Sequence, residues 1–133
     1  MHDAGCLCGA VRWAIDGPLE WMVHCHCSRC RKAHGSAFAT WGIGPAASFR
    51  LHGAEHRSRW ESSPRSFRCF CKYCGSVVPD DPSGEQAIVP AGSFTDDPGI
   101  RPAAHIFVAS KAPWYELQDE LPRFDAWPPG IDA

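Results

Sequence analysis

Two segments of this chain carry the same three-cysteine spacing. Cys25-His26-Cys27-Ser28-Arg29-Cys30 and Cys69-Phe70-Cys71-Lys72-Tyr73-Cys74 both read C-x-C-x-x-C, and Cys6-Leu7-Cys8-Gly9 adds a further pair. Thiolates presented on tight turns are the usual ligands of a tetrahedral zinc ion. Disulfides are the competing use for eight cysteines. A bridge between cysteines one or two residues apart would be strained, however, and a reducing compartment would open most of the others. The thiols therefore read as metal ligands.

Cys71-x-x-Cys74-Gly75 has the form of a zinc knuckle, in which the two-residue gap turns both sulfurs toward one ion and Gly75 permits the turn. Cys6-x-Cys8-Gly9 is the natural second pair. Joining the two would clamp the N-terminal strand to the middle of the chain and close a long loop. The trio Cys25, Cys27 and Cys30 remains, with Cys69 left over. Three protein ligands and a vacancy describe a catalytic zinc, and four describe a second structural one. Spacing leaves both arrangements open: a four-cysteine site plus an open three-cysteine site, or two complete four-cysteine sites using Cys69. His24, His26 and His34 are further candidates for a fourth ligand.

Positioning these turns is the task of a small chain. Its 133 residues suit one domain, 1–133, and 44% hydrophobic residues supply a core. A net charge of −2 gives no global pull toward nucleic acid or an anionic membrane. No apolar run is long enough to span a bilayer. The first residues show neither a basic nor an apolar signal region, so a cytoplasmic, reducing location is expected.

Twelve glycines and twelve prolines cut the sequence into short pieces. Val11, Trp13 and Ile15 alternate with Arg12 and Ala14, as on a half-buried strand. Further strands are expected at Ala37–Trp41, Ser48–Leu51, Ser58–Trp60, Ser66–Phe70, Ser76–Val78, Gln86–Val89 and His105–Ala109. Asp96-Asp97-Pro98-Gly99 is a turn. One short helix is expected over Ser28–His34, with Ser28 as N-cap and Gly35 as terminator. An irregular tail packs over Leu121–Gly130 and frays, with its irregular part at about residues 125–133. Many short strands between such turns point to a sandwich or a partly open barrel.

Beyond spacing, the chain resembles the glutathione-dependent formaldehyde-activating family, which shares its domain with centromere protein V. The resemblance rests on Gly5-Cys-Leu-Cys-Gly-Ala-Val11, His24-Cys-His-Cys-Ser-Arg-Cys-Arg31, Gly35-Ser-Ala-Phe38 and Phe70-Cys-Lys-Tyr-Cys-Gly-Ser76. It continues through Ala91-Gly92, Asp96-Asp-Pro98, His105-Ile-Phe-Val108, Ser110-Lys-Ala-Pro-Trp114 and Leu121-Pro-Arg-Phe124. These stretches run in order across nearly the whole chain. The resemblance implies an all-β, zinc-stabilised fold of two packed sheets, similar to the Mss-like fold. It implies two zincs per chain: a structural one on Cys6, Cys8, Cys71 and Cys74, and a labile active-site one on Cys25, Cys27 and Cys30. Cys69 departs from the family pattern and reads as a small buried side chain.

The activity so implied is a carbon–sulfur lyase reaction, joining glutathione and formaldehyde reversibly into S-(hydroxymethyl)glutathione. A three-thiolate zinc suits it, because coordination deprotonates an incoming thiol. Arg29, Arg31 and Lys32 interleave with the trio and are candidates to offset its charge or to hold glutathione carboxylates. Lys111 is a further candidate for a ligand carboxylate, Ser36 for a hydroxyl near the site or a strand cap, and Trp41 and Trp114 for a pocket wall. His105 reads as a structural strand histidine. Two other functions compete. One is a related enzyme for another small thiol or aldehyde. The other is a non-catalytic zinc-stabilised binding module, with Arg57, Arg59, Arg65 and Arg68 as a basic edge that the near-neutral charge disfavours.

Overall fold

The computed structural model describes residues 1–130; residues 131–133, the end of the expected irregular tail, lie outside the described residues. The elements run β1 (His2–Gly5), β2 (Arg12–Ile15), β3 (Trp21–Cys25), α1 (Ser28–His34), β4 (Ala39–Pro45), β5 (Phe49–His52), β6 (Arg57–Ser63), β7 (Ser66–Cys71), β8 (Val77–Val78), β9 (Gln86–Pro90) and β10 (His105–Ile106). The all-β class expected from the sequence is the observed one. The strands divide into three hydrogen-bonded sheets, ordered β1-β2-β5, β10-β3-β4-β9 and β6-β7-β8. Every pairing is antiparallel except β10 on β3. No described helix is long and apolar enough to cross a membrane.

Two apolar clusters hold the sheets together. The first centres on Val11, Trp13, Ile15, Val78 and Val89, and it includes Cys6, Cys69 and Cys71. The second is built from Val23, Ala39, Ile43, Ala104 and Ile106, and it includes Cys25 and Cys30. Each set of candidate ligands is thus rooted in its own core. The sheets approach closely at Gly44 of β4, where a Cβ would stand 3.1 Å from Ile15 Cγ2.

Two strands were not expected. β3 is central and buried along much of both faces, so its Trp-Met-Val-His-Cys run lacks the alternation that marks a half-exposed strand. β1 is an edge of His, Asp, Ala and Gly, all weak strand formers, and it forms by pairing with β2 from Gly5↔Arg12 to His2↔Ile15. The strand expected over His105–Ala109 stops at Ile106, because Phe107 takes a left-handed conformation (φ 55°) and a single turn of 3-10 helix follows. The chain from Pro122 to Ala126 packs back as an irregular strap. His105 N–H donates to Pro122 O, Phe124 N–H to His105 O and Val108 N–H to Phe124 O.

Gly53 joins β5 to the turn before β6 with φ 83°, and a Cβ there would overlap the carbonyl oxygen of Ala10. Gly53→Ala combines a strained backbone with a clash against main chain that cannot move freely. It is expected to lower stability by about 2 kcal/mol or more, read as a shift in urea midpoint at constant slope.

Candidate metal centres

The first centre forms where two turns meet. Cys6 closes the tight β1–β2 turn, with Cys6 N–H on Val11 O at 2.9 Å and Gly9 N–H on Cys6 O at 3.1 Å. The facing turn follows β7, where Cys71 N–H bonds Ser76 O and Gly75 N–H bonds Cys71 O, each at 2.9 Å. Leu7 N–H donates to Ser76 Oγ at 3.0 Å and ties one turn to the other. The sulfurs of Cys6, Cys8, Cys71 and Cys74 consequently lie within 4.8 Å of one another.

Their spacing tests whether an ion fits. A tetrahedral thiolate site with Zn–S bonds of about 2.3 Å has sulfurs about 3.8 Å apart. The Cys6–Cys8 and Cys8–Cys71 sulfurs are each 3.7 Å apart. Backbone N–H groups also point at the sulfurs, from Val11 to Cys6 at 3.3 Å and from Tyr73 to Cys71 at 3.4 Å. Such donors stabilise thiolate over thiol. Hydrogen bonds from the Ser76 side chain and backbone draw the Cys74 thiol down to about 5. The set fits a tetrahedral metal ion.

The second centre sits at the end of β3. Cys25 is the last strand residue, Cys27 caps α1 and Cys30 lies in the helix's first turn. The cap is Cys27, in place of the expected Ser28: its sulfur accepts from Cys30 N–H at 3.2 Å. Gly35 ends the helix as expected, with its N–H on Arg31 O. The three sulfurs again lie within 4.8 Å of one another. Hydrogen bonds from the Cys25 and Cys30 thiols hold Cys27 far below the usual thiol range, while the same contacts push Cys25 above it.

No histidine belongs to either group, and Cys69 belongs to neither. Cys69 is buried in the first core, where burial and the nearby Asp80 raise its pKa. The arrangement left open by spacing is therefore resolved geometrically as four sulfurs plus three. All eight cysteines are free thiols.

The surrounding charges are distributed differently from the sequence expectation. Arg68 lies against the trio, with Nη1 and Nη2 both 3.7 Å from Cys30 Sγ. It had read as part of a basic edge, yet that edge does not form: Arg57 pairs with Asp81 and Arg59 with Asp80. The strand register explains the split, since Arg57 and Arg59 share one face of β6, whereas Arg68 lies on β7 opposite Trp60 on the other. Arg31 Nε donates to Ser110 O at 3.1 Å, and Lys111 Nζ donates to the carbonyls of Ala112 and Tyr115. Both thus brace the loop after β10. Ser36 Oγ donates to Phe38 O at 2.6 Å and serves a local turn. Trp114 is exposed, and Trp41 packs edge-on to His34.

One network had no clear sequence signal. His26 Nε2 is 2.8 Å from His105 Nδ1, and His105 Nε2 is 2.9 Å from Asp119 Oδ2. The carboxylate accepts from His105 Nε2–H, so His105 Nδ1 accepts from His26 Nε2–H and His26 Nδ1 is left as a buried lone pair. His26 is fully buried, and burial with neighbouring positive charge lowers its pKa to about 4. Alternation along the extended chain turns it away from Cys25 and Cys27. The relay anchors that segment from behind, linking the residue after β3 through β10 to the loop before the strap. Its members lie 79 and 14 residues apart, a separation that local pattern does not reveal.

Fold and site together define a small all-β domain with two cysteine groups, of four and three sulfurs, that could each hold a metal ion. The family model for the glutathione-dependent formaldehyde-activating enzyme matches residues 1–110. The chain belongs to that family. A Halomonas elongata protein, provisionally named a glutathione-dependent formaldehyde-activating enzyme, is 33% identical over 129 residues, covering 89% of this chain and 82% of the relative. A crystal structure of a Rhodobacter sphaeroides protein shares the fold, with a TM-score of 0.58 at 24% identity, over 75% of this chain and 91% of that one.

Because Cys69 contacts neither centre, Cys69→Ser is expected to keep the parent's metal content per chain, measured by native mass spectrometry. It should lower stability by about 1 kcal/mol through burial of a hydroxyl. Loss of one ion would instead make Cys69 a ligand.

Proposed function

We propose that this protein is a zinc-dependent enzyme joining glutathione to formaldehyde, a carbon–sulfur lyase in the reverse direction. The observation that carries the reading is the open trio of sulfurs with Arg68 beside it, in a chain of this family. In the forward step the glutathione sulfur forms a bond to the formaldehyde carbon. The carbonyl becomes a hydroxyl, taking up a proton equivalent to the one the thiol lost. The product is S-(hydroxymethyl)glutathione, and no oxidant or reductant is needed.

On this reading two zinc ions are held per chain. One, on Cys6, Cys8, Cys71 and Cys74, ties the N-terminal hairpin to the β7–β8 turn. The other would be held by Cys25, Cys27 and Cys30 and would supply Lewis acidity that favours the ionised form of a thiol at neutral pH. The chain's own residues set its context. Three cysteinates leave that ion with a net negative charge, which disfavours hydroxide formation and suits sulfur chemistry. Arg68 partly offsets the charge from 3.7 Å. His26 remains neutral and holds the Cys25–Cys27 segment in place. A reducing cytoplasm and action as one domain fit the eight free thiols.

Cobalt(II) in place of zinc makes the test visible, because sulfur-to-metal absorption reports thiolate ligation. Glutathione is expected to raise that absorption in fully loaded protein, and S-methylglutathione is expected not to. Cys27→Ser should abolish the rise and cut formaldehyde consumption to the spontaneous rate. An unchanged spectrum with saturating glutathione, or full activity in Cys27→Ser, would sink the proposal.

A further inference from the structure

A hollow of about 560 Å³ lies between α1 and the outer face of the β6-β7-β8 sheet. Arg29 and Lys32 line it from the helix, and Trp60, Arg68 and Phe70 from the sheet. Its size falls within the range of small-molecule pockets. Two features separate it from ordinary surface. Trp60 and Phe70 are 63% and 41% exposed, an uncovered aromatic floor in a chain that buries Trp13 almost completely. No carboxylate lines the hollow. Among the described residues Arg57, Arg59 and Arg101 each have an acidic partner, but Arg29 and Lys32 have no ion pair.

The hollow also adjoins the trio through one side chain. Arg68 lines it and at the same time touches Cys30 Sγ. An occupant whose sulfur reached the trio past Arg68 could lay its remaining atoms over the aromatic floor, within the same lining as Arg29 and Lys32. An extended three-residue peptide spans about 10 Å. Arginine and lysine recognise carboxylates, and an exposed indole packs against planar amide groups.

We infer that this hollow selects the thiol substrate, holding the carboxylates of a peptide-like thiol on Arg29 and Lys32 with its amide planes over Trp60. The inference rests on the thiol-delivery reading and adds the specificity determinant to it. Arg68 stays with the sulfurs. Small thiols without carboxylates gain nothing from the hollow and are poor substrates. The site lies on different side chains from Arg31 and Lys111, whose charged groups are occupied with the loop after β10.

The experiment uses metal-loaded full-length protein and two probes. S-methylglutathione keeps both carboxylates but lacks a free thiol, so its binding, followed by calorimetry, reads the hollow alone. Arg29→Glu with Lys32→Glu is expected to weaken it at least tenfold, and Trp60→Ala several-fold. The cobalt absorption with free glutathione should shift to correspondingly higher concentration in the same variants, while 2-mercaptoethanol responds alike in parent and variants. If the parent binds S-methylglutathione and the charge-reversed protein binds it equally well, the hollow is not the carboxylate site. The inference also falls if the glutathione response of the variants overlays that of the parent. Loss of S-methylglutathione binding in the variants, with no cobalt response to glutathione in the parent, would support the hollow as the carboxylate site and remove the thiol-delivery reading.

Discussion

The structure depends on two turns, separated by more than sixty residues of chain, meeting sulfur to sulfur. Cys8 and Cys71 approach to 3.7 Å because Cys6 and Cys71 are both buried in the first core, and because Leu7 N–H finds Ser76 Oγ. β1 is too short and too polar to persist alone, and β8 pairs through only two residues. An ion bound there would bind the folded chain preferentially, since the unfolded chain must first close that long loop. Such an ion would tie the hairpin β1–β2 to the sheet β6-β7-β8.

The trio is built on the opposite principle. Its three sulfurs come from six consecutive residues, so local geometry supplies most of the convergence. A strand ends at Cys25, a helix begins after Cys27, and the cap bond to Cys30 N–H sets the turn between them. What the rest of the fold contributes is surroundings. The second core excludes water below, the histidine relay fixes the segment behind, and Arg68 reaches in from another sheet. The trio draws all three sulfurs from one turn, whereas the first group draws two from each of two turns.

Cationic residues show how misleading adjacency in sequence can be. Arg29, Arg31 and Lys32 are neighbours of the trio along the chain, but a helix sends them in different directions. Arg31 turns to the loop after β10, and Arg29 and Lys32 turn to the hollow. The charge nearest a sulfur belongs to Arg68, thirty-eight residues beyond Cys30. Alternation along β6 and β7 likewise splits the arginines, pairing Arg57 and Arg59 with Asp81 and Asp80 and leaving Arg68 on the other face.

The sequence by itself determined the cysteine groups, the short helix between Ser28 and His34, the all-β class and most strand positions. These follow from local rules: ligand spacing, capping residues, alternation and turn chemistry act within a few residues of one another. It left Cys69 undecided, missed β1 and β3 and extended β10 past Phe107. Only tertiary structure settled these matters. The fate of Cys69 depends on which face of β7 meets the core, and β3 is a strand because neighbours cover it on both sides. The His26–His105–Asp119 relay exists because β10 pairs in parallel with β3 in one register, His105 opposite His24. A register is fixed by packing across the sheet, and no residue carries it alone.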